Sequence, residues 1–341
     1  METARALRGK QPPARLRQVA GGARPALARW WLLLVGLFLW GGCAAAPRRG
    51  TATPWLPPTP AQTVSPAASA TPLPLPTPSP LAATAALSPA PAFTATPPAA
   101  ACLRAGGNLV RAALPSRYLT YKMPVLVYLP PCYEQQPDRR YPVLYLIHGQ
   151  NFDQTQWARL GAPAAADRLI AAGEAPPFII VMPGERSWEQ PRNTGWDETF
   201  LQVLMPWVEA HFRTRNDRRD RAIGGLSRGA SWAIHLGLSH WELFGSIGGH
   251  SPPVFWEDVP HIRAWLQGIP PGKWPRIYLD IGDADQHQIT ESARWFEGVL
   301  TKEGIPHEWH FNVGRHNEAY WSRHVEAYLR WYVAPWKTEG R

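Results

Sequence analysis

The pentapeptide Gly225-Leu226-Ser227-Arg228-Gly229 carries the strongest chemical signal in the chain. It follows the strand-like Arg221-Ala222-Ile223-Gly224 and precedes a helix-like stretch at 230–238. A serine on a tight strand-to-helix turn has its hydroxyl lifted over the sheet. Small residues two before and two after it let strand and helix approach closely. The helix start also offers free N–H groups and a partial positive charge to a developing oxyanion. A serine so placed can act as a nucleophile if a base takes its proton and an acid orients that base. Two downstream segments supply candidates: Gly282-Asp283-Ala284-Asp285 after the apolar run 277–281, and Gly314-Arg315-His316-Asn317 after 309–313. Both lie just past strand ends, where an open α/β sheet builds its site. Position leaves the acid open between Asp283 and Asp285, with Asp280 inside its strand.

The elements that must hold these groups alternate in kind. Residues 118–129 read as an opening pair of strands with a turn near Lys122. Further strands are predicted at 143–147, 178–182, 222–225, 246–249, 277–281 and 309–313. Helices are predicted at 167–172, 199–212, 230–238, 290–303 and 318–332. Strands apolar throughout, separated by helices, argue for a mostly parallel sheet covered on both faces, an α/β fold. No internal repeat is visible, which excludes solenoids and propellers.

From about 118 to 332 the chain resembles an esterase family of α/β-hydrolases that includes esterase D, enterochelin esterase, feruloyl esterase and mycolyltransferase proteins. The resemblance is carried by Val127-Tyr128-Leu129-Pro130-Pro131, Tyr145-Leu146-Ile147-His148-Gly149 and Trp196-Asp197-Glu198-Thr199-Phe200-Leu201. It continues through Gly224-Gly225-Leu226-Ser227-Arg228-Gly229, Leu243-Phe244-Gly245-Ser246, Gly282-Asp283-Ala284-Asp285, and His316 with Tyr320-Trp321. It implies an α/β-hydrolase fold and a carboxylic ester hydrolase working through an acyl-enzyme, with no cofactor. Ser227 would be the nucleophile, His316 the general base and acid, and Asp285 the orienting acid. The backbone N–H groups of Gln150 and Arg228 would form the oxyanion hole. Arg228 stands where the family often has a small or apolar residue such as Met, so it is expected to alter the charge of the site. Ala230 replaces a frequent second glycine. Mycolyltransferase-like acyl transfer and a non-catalytic surface binder on the same scaffold are the alternative functions.

Among the other histidines, His148 is expected to make structural hydrogen bonds, His250 to line the pocket and His310 to lie within its strand. Asp283, Asp285 and His287 lack the ligand spacing of a zinc or calcium loop, so no metal is expected. Arg213, Arg215, Arg218, Arg219 and Arg221 read as a solvated helix end and turn. Trp157, Trp188, Trp196, Trp232, Trp256 and Trp321 fall in or near loops around the site. Packing accounts for most of them, and aromatic faces at a cleft suit aryl acyl groups or sugar rings. The expected substrate is a small-molecule or carbohydrate ester.

The formal charge of the 341 residues is +9, but it is unevenly placed. Residues 1–50 hold nine Lys/Arg and one Asp/Glu, a net of +8, and residues 51–100 hold no charge. The rest is close to neutral, which argues against a nucleic-acid-binding body. Residues 1–46 join a basic region to an apolar run, Trp30 to Trp40, as a secretory leader or membrane anchor does. Leu39-Trp40-Gly41-Gly42-Cys43 resembles a bacterial lipobox, which makes Cys43 the lipidation candidate. Residues 47–100 read as a Pro/Ala/Thr-rich tether, since 14 of the 38 prolines fall between 51 and 100. Residues 101–341 are then one extracytoplasmic catalytic domain at the cell surface. In that oxidising compartment Cys102 and Cys132 are expected to form a disulfide.

Overall fold

The computed structural model describes residues 99–337. Eight strands form one sheet: β1 (Asn108–Leu114), β2 (Met123–Leu129), β3 (Val143–Ile147), β4 (Ile179–Pro183), β5 (Arg221–Leu226), β6 (Ser246–His250), β7 (Arg276–Gly282) and β8 (Glu308–Asn312). Their spatial order is β1-β2-β4-β3-β5-β6-β7-β8. The β1–β2 and β2–β4 pairings are antiparallel and the others parallel. This is the α/β-hydrolase arrangement expected from the sequence. The helices are α1 (Ala99–Ala105), α2 (Gln156–Arg159), α3 (Ala162–Ala171), α4 (Trp196–Thr199), α5 (Met205–His211), α6 (Arg228–Ser239), α7 (Ile262–Gly268), α8 (His287–Lys302) and α9 (Glu318–Val333).

Both faces of the sheet are buried, and strand alternation divides the core in two. Val143, Tyr145 and Ile147 of β3 join the cluster with α5, α6, α7 and α8. Leu144 and Leu146 turn to the opposite face, under α2, α3 and α9. The chain passes from β3 to β4 on one side and then to β5 on the other. That reversal opens a crevice beyond the carboxyl ends of β3 and β5, the place where open α/β sheets bind ligands.

Several local expectations are corrected. The opening strands are β1 and β2, with residues 115–122 between them, rather than a pair inside 118–129. Pro115 has no N–H to give a ladder, and the Ser116 hydroxyl accepts the Tyr118 N–H at 3.1 Å, turning the chain locally. Helix α3 starts at Ala162, earlier than 167, because Pro163 in a first turn is compatible with a helix start. The predicted helix 199–212 is α4 and α5 joined by a π turn at Phe200–Leu204. The Met205 N–H reaches back to Phe200 O there, just before Pro206, which has no N–H to donate.

Most of the arginine run is packed rather than solvated; Arg219, with its side chain 70 % exposed, is the part that stays in solvent as expected. Arg213 lies 3.7 Å from the centroid of the Tyr133 ring, and Arg221 bonds Glu209 at 2.6 Å. Arg218 donates to the carbonyls of Phe244 and Lys273. Cys102 of α1 and Cys132 are disulfide-bonded, with Cα atoms 5.1 Å apart. The bond joins α1, which begins two residues ahead of position 101, to the turn after β2. The proposed leader, Cys43 and most of the tether lie outside the described residues. Among the described residues no helix is long and apolar enough to cross a membrane.

Candidate active site

Strand β5 is buried along its whole length and is followed at once by Ser227, whose backbone has φ 52° and ψ −126°. Such a conformation costs a non-glycine residue about 1–3 kcal/mol and persists only where the surroundings enforce it. They do so by close approach. A Cβ on Gly225 would lie 2.2 Å from the carbonyl carbon of Gly229, and one on Gly229 only 2.1 Å from Ile147 O. The spacing of the two glycines around Ser227 is thus a steric requirement of the turn. The Ser227 N–H donates to His250 O at 2.8 Å, and Ser227 O accepts from the N–H groups of Ala230 and Ser231 as α6 begins.

Three side chains from three strand ends meet above this turn. His316 Nε2 lies 2.9 Å from Ser227 Oγ, and His316 Nδ1 lies 2.8 Å from Asp285 Oδ1. The Asp285 side chain is fully buried and that of His316 is 11 % exposed. Asp285 also accepts the Gln286 N–H at 2.6 Å on Oδ1 and the Ser251 hydroxyl at 2.8 Å on Oδ2. Asp283, the other acid that the sequence left open, accepts the Gly314 N–H at 2.9 Å and so ties its loop to the loop carrying His316. In such a relay the imidazole can take the serine proton while the carboxylate fixes its tautomer and balances the imidazolium.

Gln150 and Arg228 both border the cleft over Ser227. Arg228 opens α6, so its backbone N–H is among the donors that a helix start leaves without a partner in the helix. The loop bearing Gln150 is held from below. The Gly149 N–H donates to Gln156 Oε1 at 2.8 Å, and Gln156 Nε2 donates to Glu318 Oε1 at 3.1 Å. His148 accepts the Glu185 N–H on Nε2 at 2.8 Å, and its Nδ1 faces Gly149 O at 2.8 Å. Burial lowers the His148 pKa, in keeping with a neutral ring that donates from Nδ1.

The Arg228 side chain does not leave a free positive charge in the site, contrary to expectation. Its Nε donates to Glu185 Oε2 at 2.8 Å and its Nη2 to Glu189 O at 2.6 Å. Burial pushes the Glu185 carboxyl upward, against the opposing pull of Arg228.

The cleft holds about 850 Å³, and Phe152, Phe255 and Trp256 supply aromatic surface beside Ser227 and His316. Trp256 is 69 % exposed, and Trp321 also borders the cleft. Trp157, Trp196 and Trp232 are core residues, and Trp188 lies exposed away from the lining. Trp232 packs edge-on against Phe255 at 5.0 Å, so the core supports one cleft wall.

His250 does not line the cleft. It is fully buried, with Nδ1 2.7 Å from Asp280 Oδ1. The contributions of Ser251, Gln156 and Glu185 escaped sequence reasoning. For Ser251 a signal existed: it is the first residue past a parallel strand's carboxyl end.

Three comparisons bear on this site. A family model described as "Putative esterase" matches residues 116–332. An esterase of Mycobacterium tuberculosis is 30 % identical over 232 residues, covering 52 % of this chain and 49 % of the relative. The endo-1,4-beta-xylanase/feruloyl esterase of Xylanibacter ruminicola is 33 % identical over 138 residues, covering 36 % of this chain and 18 % of the relative. The chain thus spans about half the length, or less, of these curated relatives. Among solved structures, a ferulic acid esterase superposes with a TM-score of 0.61 at 25 % identity, covering 67 % of this chain and 98 % of that one.

Proposed function

The chain belongs to this esterase family, and on that premise we propose that it is a serine carboxylic ester hydrolase. The observation that carries the proposal is His316, which bridges Ser227 at 2.9 Å and Asp285 at 2.8 Å. Ser227 Oγ attacks the ester carbonyl carbon as its proton passes to His316 Nε2. The carbonyl oxygen takes up the negative charge and accepts hydrogen bonds from the N–H groups of Gln150 and Arg228. As the tetrahedral intermediate collapses, the C–O bond to the alcohol breaks and His316 returns its proton to the leaving oxygen. Water then attacks the acyl-enzyme, with His316 again as base, and the acid and free Ser227 are released. Asp285 holds the imidazolium through its bond to Nδ1.

The substrate we propose is an aryl ester of the feruloyl type on a carbohydrate alcohol. The aromatic surface of Phe152, Phe255 and Trp256 beside the nucleophile supports this, as does the similarity to the Xylanibacter ruminicola endo-1,4-beta-xylanase/feruloyl esterase and to a ferulic acid esterase. We also propose that the domain works outside the cytoplasm, anchored through residues 1–46, with Cys43 as the lipidated residue. The charge distribution of the first 50 residues and the Cys102–Cys132 pair support that location.

A fluorophosphonate probe tests the nucleophile. The folded protein should take up one label, on a peptide containing Ser227; a folded protein that stays unlabelled would favour a binding role.

A further inference from the structure

We propose that the dipeptide His250-Ser251, at the end of β6, holds the nucleophile turn and the triad acid in register, with Ser251 a positioning residue for Asp285. The proposal rests on the serine-hydrolase reading above and extends it to residues that touch no substrate.

The two residues act on different members of the triad. The carbonyl of His250 accepts the Ser227 N–H at 2.8 Å, so β6 fixes the backbone of the strained serine. The Ser251 hydroxyl bonds Asp285 Oδ2 at 2.8 Å. Trp321 Nε1–H donates to that same hydroxyl oxygen at 3.2 Å, which leaves the hydroxyl proton for the carboxylate. Asp285 Oδ1 is taken by His316 and the Gln286 N–H. Oδ2 therefore depends on Ser251. The terminal torsion of an aspartate is broad and two-fold, so a carboxylate held on one oxygen alone can swing. The Ser251 bond fixes it with Oδ1 toward the imidazole.

The dipeptide is itself locked in place. Ser251 is fully buried, has φ 51°, and its N–H donates to Asp280 O at 2.7 Å. A non-glycine residue keeps that left-handed conformation only where its surroundings enforce it. Here they include the His250 side chain. Besides bonding His250, Asp280 accepts the hydroxyls of Tyr320 at 2.5 Å and Tyr328 at 2.7 Å on Oδ2. The His250 ring stacks on Tyr328 with centroids 3.6 Å apart, and its Nε2 lies 3.1 Å from the Tyr332 hydroxyl. A buried acid, a histidine and three tyrosines that take no part in the reaction sit directly behind it. Their role is to keep the end of β6 from moving.

Ser251→Gly removes the hydroxyl while glycine tolerates the positive φ. Without that donor, negative charge concentrates on Asp285 and the proton affinity of His316 rises. The other charged groups nearby keep their partners: Asp283 bonds Gly314, Glu318 bonds Arg159, and Arg228 bonds Glu185. Loss of one charge-assisted hydrogen bond should lower kcat by about 10- to 100-fold with little change in KM. The acid limb of the kcat/KM profile should move to higher pH. Ser251→Ala, read by the same assays, covers the event that the glycine variant does not fold.

A folded variant with kcat within about twofold of the parent and an unmoved acid limb would overturn the proposal. Ser227→Ala separates the two levels. If it stays active, the serine-hydrolase reading fails; if it is dead while Ser251→Gly behaves as the parent, only the positioning role fails.

Discussion

His316 Nδ1 lies 2.8 Å from Asp285 Oδ1, while Asp283, two residues earlier on the same loop, spends its carboxylate on the Gly314 N–H at 2.9 Å. The two acids are therefore separable by substitution. Asp285→Asn should lower kcat on an aryl ester by roughly 10⁴-fold, since an amide favours the wrong imidazole tautomer. Asp283→Asn should reduce stability more than turnover. Steady-state kinetics paired with urea unfolding of both variants checks the contrast, and equal kinetic losses would count against it.

The Arg228–Glu185 pair beneath the cleft is almost wholly buried, with side chains 8 % and 3 % exposed. Glu185→Leu leaves a buried guanidinium without its counter-charge, a change that costs about 3–5 kcal/mol. Adding Arg228→Met to that variant removes the uncompensated charge and should recover much of the loss. Urea unfolding midpoints of the parent, single and double variants read this directly.

Asp197 predicts a pH dependence of stability. Burial, and then the neighbouring Glu198 carboxylate, push its pKa from 3.8 up to about 6. The folded protein therefore holds this proton more tightly than the unfolded chain does. The stabilising contribution is complete below about pH 3.8 and is lost as pH rises through about 6. Asp197→Asn, whose amide stands in for the protonated acid, should flatten that decline and raise the unfolding midpoint at neutral pH. Urea unfolding at about pH 5 and pH 8, in parent and variant, gives the slopes to compare.

The strand-to-helix turn at Ser227 was legible in the sequence because its determinants are local: an apolar strand, a serine and two glycines at fixed offsets. His316 was legible because it stands just past a strand end. Choosing between Asp283 and Asp285 required more than position, since the path of one loop decides which carboxylate reaches the imidazole. Strand β1 was missed because it is an edge strand with most of its side chains partly or fully exposed, and Arg111 interrupts its apolar pattern. Arg221 and His250 were misjudged for a related reason. Their partners, Glu209 and Asp280, lie 12 and 30 residues away, and only the folded chain brings them together.

The role proposed for Ser227 is tested most directly by the turnover of Ser227→Ala on a feruloyl or other aryl ester. A nucleophilic Ser227 requires a loss of roughly 10⁴-fold or more in kcat, with circular dichroism and unfolding midpoint close to the parent. Ester hydrolysis by a folded Ser227→Ala protein at a substantial fraction of the parent rate would contradict it.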